Sequence, residues 1–97
     1  MENEKYVIVR SSPSGVWFGR LVQVEGTPDG LQRITLVEAR RIHYWEGAGS
    51  CSGLAAHGPR EGRIAPPVSA TVSQVCEILE ATPEAVARIA RIPEWRP

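Results

Sequence analysis

Apolar residues along most of this chain fall in short β-branched runs separated by turn residues. Lys5 to Arg10, KYVIVR, is aromatic and β-branched and stops at SSPSG, the pattern of a strand entering a turn. Gly15 to Gly26, GVWFGRLVQVEG, alternates so that Val16, Phe18, Val22 and Val24 lie on one side and Trp17, Leu21 and Gln23 on the other. Gly19 inside that strand points to a bulge or to the close approach of another backbone or a ligand. Thr27-Pro28-Asp29-Gly30 has the proline and glycine positions of a type I turn and should close a hairpin onto the next strand.

That third strand, Gln32 to Trp45, places Ile34, Leu36, Ile42 and Tyr44 in one parity and Val37, Ala39, His43 and Trp45 in the other. It exceeds the usual strand length, so a bend is expected near Glu38 to Arg40. Gly47 to Gly58 is rich in small residues, with Ser50 or Ser52 able to cap a short helix that Gly58 would stop. Pro66 and Pro67 argue for a loop over PREGRIAPP, with no central strand before Val68. Residues 69–81 fit either helix or strand; the β-formers favour a strand over Val75 to Leu79. Thr82-Pro83-Glu84 supplies an N-cap, a first-position proline and an acid in the first turn of a helix running to about Ile92. Val86, Ile89 and Ala90 share its apolar face, and Trp95 is expected to pack back as an anchor.

The expected architecture is a single α+β domain over residues 1–97: a small antiparallel β-sheet of about four strands, a short inserted helix and a C-terminal helix over one face. The opposite face has mixed polarity, which suggests a second subunit and hence a homo-oligomer.

Charge narrows the partners. Eleven basic residues balance eleven acidic ones, so no long-range field gathers nucleic acid or an anionic membrane, and neither is an expected partner. No apolar run follows positive charge at the N-terminus, and none reaches about 18 residues, so the expected location is the cytoplasm. Cys51 and Cys76 lack metal or redox spacing and read as small buried or half-buried residues. His43 and His57 sit outside the zinc-ligand patterns, and GxSxG is absent, so neither an enzyme nor a cofactor or metal is expected. His57 near a helix end is read as a charge–dipole cap, with pairing to Ser50 or Cys51 the competing role.

The densest chemistry lies in Ala39 to Ser52, ARRIHYWEGAGSCS. Arg40 and Arg41 can clamp phosphate or carboxylate oxygens, with His43 beside them, and Tyr44 or Trp45 can stack a base. Gly47, Ala48 and Ser50 belong to a turn whose amides could face an anion at the helix start. Together these are the candidate ligand-binding residues for a nucleotide. Against this, Arg40 and Arg41 point to opposite faces of a strand, as do Tyr44 and Trp45. They converge only if the strand bends or another subunit contributes; otherwise the arginines pair with Glu25, Glu38 or Glu46, and the aromatics divide between core and interface.

The blocks KYVIVR, GVWFGRL, ARRIHYWEGAGSCSGLA and ATPEAVARI resemble a small family of uncharacterised proteins, a domain of unknown function met often in tailed-phage and prophage genomes. The resemblance spans nearly the whole chain and is most specific over Ala39 to Ser50. It implies phage origin and a life in the cytoplasm of an infected host cell, and it implies no activity. Small phage proteins without enzyme motifs commonly act against host defence, some as oligomeric sponges for cyclic-nucleotide or ADP-ribose-type signals. The expected function is therefore sequestration of such a nucleotide-derived small molecule; the alternative is a protein-interaction or assembly module, anchored by Trp17 and Trp45.

Overall fold

The structure, a computed structural model, describes residues 5–96. Residues 1–4, part of the stretch read for a targeting signal, and Pro97 lie outside the described residues. The order is β1 (Lys5–Ser11), β2 (Gly15–Gly26), β3 (Gln32–Glu46), α1 (Cys51–Ala56), β4 (Glu61–Ile64), β5 (Val68–Glu80) and α2 (Pro83–Arg91). The fold is α+β, as expected, but the antiparallel sheet has five strands in the order β2-β1-β5-β3-β4. Strand β2 also pairs with β3, so β1, β2, β3 and β5 close into a small barrel and β4 hangs from the end of β3.

Closure explains the second apolar face. Val7, Val9, Ile34, Leu36, Ala39, Val72 and Val75 fill the barrel interior. Ile8, Phe18, Ile42 and Ile64 face outward and are covered by Leu54 of α1 and Ile89 of α2. The unbroken Val7-Ile8-Val9 run has both sides buried, the property that removes polar alternation from a strand. The sheet face opposite the helices, whose mixed polarity suggested a second subunit, is enclosed as the barrel interior. Val22 and Val24 lie beyond this core on the far end of β2 and are exposed.

Two bulges redirect β3. Glu38 adopts a left-handed φ of 53° where Phe18 pairs with Arg40 but Arg20 pairs with Val37, giving β3 an extra residue opposite Gly19. A Cβ on Gly19 would sit 3.0 Å from the Ala39 Cα, so the expected close approach is present. The extra residue shifts parity: Ile34, Leu36 and Ala39 point into the barrel, while Arg40 and Ile42 point toward α2. A second irregularity between Ile42 and Tyr44 returns Trp45 to the same outer core as Ile42. The single alternating parity expected for Gln32 to Trp45 is therefore broken twice. Gln74, at φ 52°, bends β5 in the same way, letting its first half pair with β3 and its second with β1.

The loop expected over residues 59–67 contains β4, and the strand expected over Val75 to Leu79 extends from Val68 to Glu80. Both helix starts follow their caps. The Ser50 hydroxyl accepts from the Gly53 amide at 3.2 Å, and Gly58 at φ 79° follows the end of α1. Thr82 accepts from the Ala85 amide at 3.1 Å and donates to the Ala56 carbonyl at 2.7 Å, capping α2 and tying it to α1. Thr82→Ala is expected to cost about 1 kcal/mol in urea denaturation and Thr82→Ser to restore most of it; an unchanged midpoint in the alanine variant would refute the capping role.

Candidate functional site

Arg40 is 7% exposed and lies beneath the end of α2. Its guanidinium donates to four backbone carbonyls: Ala65 at 2.8 Å, Ile89 at 2.9 Å, and Ile64 and Ile92 at 3.1 Å each. Burial lowers its pKa from the ordinary arginine value, and the nearby Glu94 carboxylate acts in the opposite direction. Every donated bond is internal, so Arg40 joins the last turn of α2, the tail and the end of β4. It pairs with none of Glu25, Glu38 or Glu46.

Arg41 points away from Arg40 and lies over the Trp17 ring, with Cζ 4.8 Å from the centroid. Trp45 turns into the outer core and donates its indole N–H to the Ala48 carbonyl at 2.9 Å. Gly47, at φ 92°, lets the turn press against Arg60, and Ser50 is occupied as the cap of the six-residue α1. The eight residues read as one ligand cluster therefore separate. Arg40 goes under α2, Arg41 stacks on Trp17, and the 47–50 turn serves a short helix; the bulged strand sends neighbouring side chains to different faces.

His43 and Tyr44 stay together at the surface and gain two partners that the local sequence pattern did not indicate. The His43 and Trp95 rings are 5.0 Å apart and tilted by 57°. Arg63, paired with Tyr44 across the β3–β4 ladder, holds its Cζ 5.7 Å from the Tyr44 ring and 5.9 Å from the Trp95 ring. Among the described residues no carboxylate comes within ion-pair reach of Arg63. The expected anchoring of Trp95 holds: its amide donates to the Ile64 carbonyl at 2.9 Å, and Glu94 bridges to Ile64, covering the outer edge of β4.

The other end of this surface is acidic. Glu46 and Glu61 stand opposite each other in register, and the Tyr44 phenol donates to Glu46 at 2.5 Å, which pushes its pKa up. Glu46 also faces Arg60 at 3.5 Å. Tyr44, Glu46, Glu61, Gly62 and Arg63 line an open groove of about 520 Å³.

His57 is exposed, with Nδ1 3.9 Å from a Glu84 oxygen, near a carboxylate rather than Ser50 or Cys51. Cys51 is half-buried as expected, with its thiol pKa pushed up by burial, whereas Cys76 is exposed. Among the described residues no three His, Cys, Asp or Glu side chains are grouped to hold a metal ion, and no helix is long and apolar enough to cross a membrane.

A family model described as a domain of unknown function, DUF6948, matches residues 4–89. The chain belongs to the DUF6948 family. The matched span contains all five strands of this DUF6948 chain, with Arg40, His43, Tyr44 and Arg63, and stops at Ile89, so Trp95 and Arg91 lie outside it. No curated protein and no solved structure matches the chain.

Proposed function

We propose that this DUF6948 chain is a binding protein that holds a nucleotide-derived anion on its β3–β4 surface without turning it over. The observation that carries this reading is Arg63, an exposed guanidinium next to the Tyr44 and Trp95 rings with no acidic partner among the described residues. A planar fork suits a phosphate, and neighbouring rings suit a base, whose stacking contributes about 1–3 kcal/mol. The ligand residues are then His43, Tyr44, Arg63 and Trp95, in place of the dispersed Arg40–Ser50 set. Sequestration requires affinity and no general base, so a surface without an assembled nucleophile serves it.

The biological setting proposed is a phage-encoded protein acting in the host cytoplasm as a sponge for a cyclic-nucleotide or ADP-ribose-type signal. The exposed Val22 and Val24 are the residues a second copy of a homo-oligomer would cover.

A thermal-shift panel of cyclic dinucleotides, cyclic trinucleotides and cyclic ADP-ribose isomers tests the reading. A ligand at about one hundred times its Kd should stabilise by about 2.7 kcal/mol, a rise of roughly 10 °C or more for a domain of this size. Arg63→Ala should abolish the shift while leaving the unliganded Tm within about 2 °C, as expected for an exposed side chain. No shift across the panel at millimolar ligand, or a shift indifferent to Arg63→Ala, would sink it. The facing Glu46 and Glu61 favour a second reading, a protein contact of mixed charge on the same surface. Stoichiometric capture of one protein that depends on Arg63, with no response to any nucleotide, would select that reading.

A further inference from the structure

The loop from α1 to β4 crosses α2 at close range between Ala85 and Arg88. Gly58, at φ 79°, lies so near that a Cβ there would be 2.9 Å from the Arg88 Cβ and 3.1 Å from the Ala85 Cα. The crossing brings Arg60 to the same depression as Arg88 and Arg91, with Gly62 and Pro93 in its walls and Glu61 as the only acid among the described residues lining it. A loop and a helix nearly thirty positions later thus place three arginines in the lining of one cavity.

Basic residues in the last turn of a helix ordinarily serve the unpaired carbonyls and the negative end of the dipole. In α2 part of that role is already taken by Arg40, which donates to the Ile89 and Ile92 carbonyls from below. Arg88 and Arg91 are left to the surface. Arg88 meets Glu84 at 3.4 Å and Arg60 meets Glu46 at 3.5 Å, both exposed pairs of the kind that contribute about 0–1 kcal/mol. Arg91 has no ion pair among the described residues. An incoming oxyanion therefore displaces little and gains charge-assisted, forked hydrogen bonds.

The cavity holds about 260 Å³, below the roughly 300 Å³ at which whole organic ligands are accommodated. It suits an ion or a head group. We propose that this depression is an oxyanion site for the phosphate or pyrophosphate group of a small soluble molecule, with Arg60, Arg88 and Arg91 as its donors. The site uses none of His43, Tyr44, Arg63 or Trp95 and stands independently of the function proposed above.

Sodium pyrophosphate titrated into the full chain at low ionic strength, followed by amide NMR, tests it. Saturable shifts are expected at Gly62 and Arg91, weakened at least tenfold by Arg91→Ala. Arg63→Ala, which removes the aromatic surface's cation, should leave this affinity within twofold, as should Arg33→Ala at the other end of β3. Equal weakening by Arg33→Ala and Arg91→Ala would reduce the effect to general charge screening and overturn the site. So would shifts that never saturate, or loss of binding in Arg63→Ala with retention in Arg91→Ala. ADP competing with pyrophosphate in an Arg91-dependent way supports a soluble phosphorylated molecule. Arg91-dependent sedimentation with phosphatidylglycerol vesicles, without competition by ADP, overturns it.

Discussion

Arg40→Met is expected to lower stability by about 3–5 kcal/mol, because four bonds from a charged donor to backbone carbonyls are lost and some of those buried acceptors are left unsatisfied. Methionine keeps an apolar stem of similar reach and supplies no donor. The carbonyls of Ile64, Ala65, Ile89 and Ile92 would each lose the guanidinium bond they now accept. An unpaired buried acceptor costs about 1–3 kcal/mol; the Ile64 and Ile89 carbonyls keep the Trp95 and Ile92 amides as donors, so the full cost falls on the Ala65 and Ile92 carbonyls. Domains of this kind are stable by about 5–15 kcal/mol, so the variant should be close to its unfolding threshold. At roughly 4–8 °C per kcal/mol, Tm should fall by more than about 12 °C. Arg40→Lys should recover only part, because a single ammonium cannot span carbonyls from a strand end, a loop, a helix and a tail. An ion pair is not the cause, since no carboxylate among the described residues pairs with Arg40; the planar fork is. A Tm of Arg40→Met within about 3 °C of the native chain would show that these bonds are replaceable by solvent.

The destination of Arg40 was hidden in the sequence for a specific reason. Strict alternation sends positions 34, 36, 38 and 40 to one face, and one extra residue at Glu38 reverses the assignments from Ala39 to Ile42, until the second irregularity before Tyr44. The bend itself was legible, from the length of the run and from Gly19; its effect on parity was not, because a bulge is fixed by the partner strand as much as by its own residues. Local chemistry was read well wherever the structure depends on local chemistry, as at Ser50, Thr82-Pro83-Glu84 and the 27–30 turn, where the Gly30 amide donates to the Thr27 carbonyl at 3.0 Å. Closure of the barrel depends on contacts far apart in sequence, and two apolar faces on one sheet look the same whether a second subunit or the curled sheet covers them. Strand β4 is harder still, since Glu61, Gly62 and Arg63 are weak β-formers between a turn and two prolines. The strand forms because the bulged end of β3 offers an open edge and Ile64 completes the core beneath α2. Arg63 and Trp95 became site residues only through that pairing, which no spacing within the Arg40–Ser50 segment encodes.

Gly62→Ala should therefore damage the proposed binding surface more than its size suggests. A Cβ at this position would lie 2.5 Å from the Tyr44 carbonyl oxygen and 3.3 Å from the Trp45 Cα. Both contacts are backbone, so no rotamer change relieves them, and β4 must move away from β3. Overpacking of this kind costs about 1–3 kcal/mol. The displacement would carry Arg63 away from the Tyr44 ring and disturb the cavity wall between Glu61 and Arg91, since Gly62 lines both depressions. The barrel should survive, because β4 pairs with β3 outside the closed ring of β1, β2, β3 and β5. Hydrogen exchange is expected to quicken at Trp45, Gly62 and Ile64 while Val7, Val9 and Leu36 stay protected, and pyrophosphate and nucleotide responses should weaken together. Uniform loss of protection across the barrel would mean that β4 is integral to the fold. Undiminished binding of both ligands would mean that neither depends on the strand that lines both depressions.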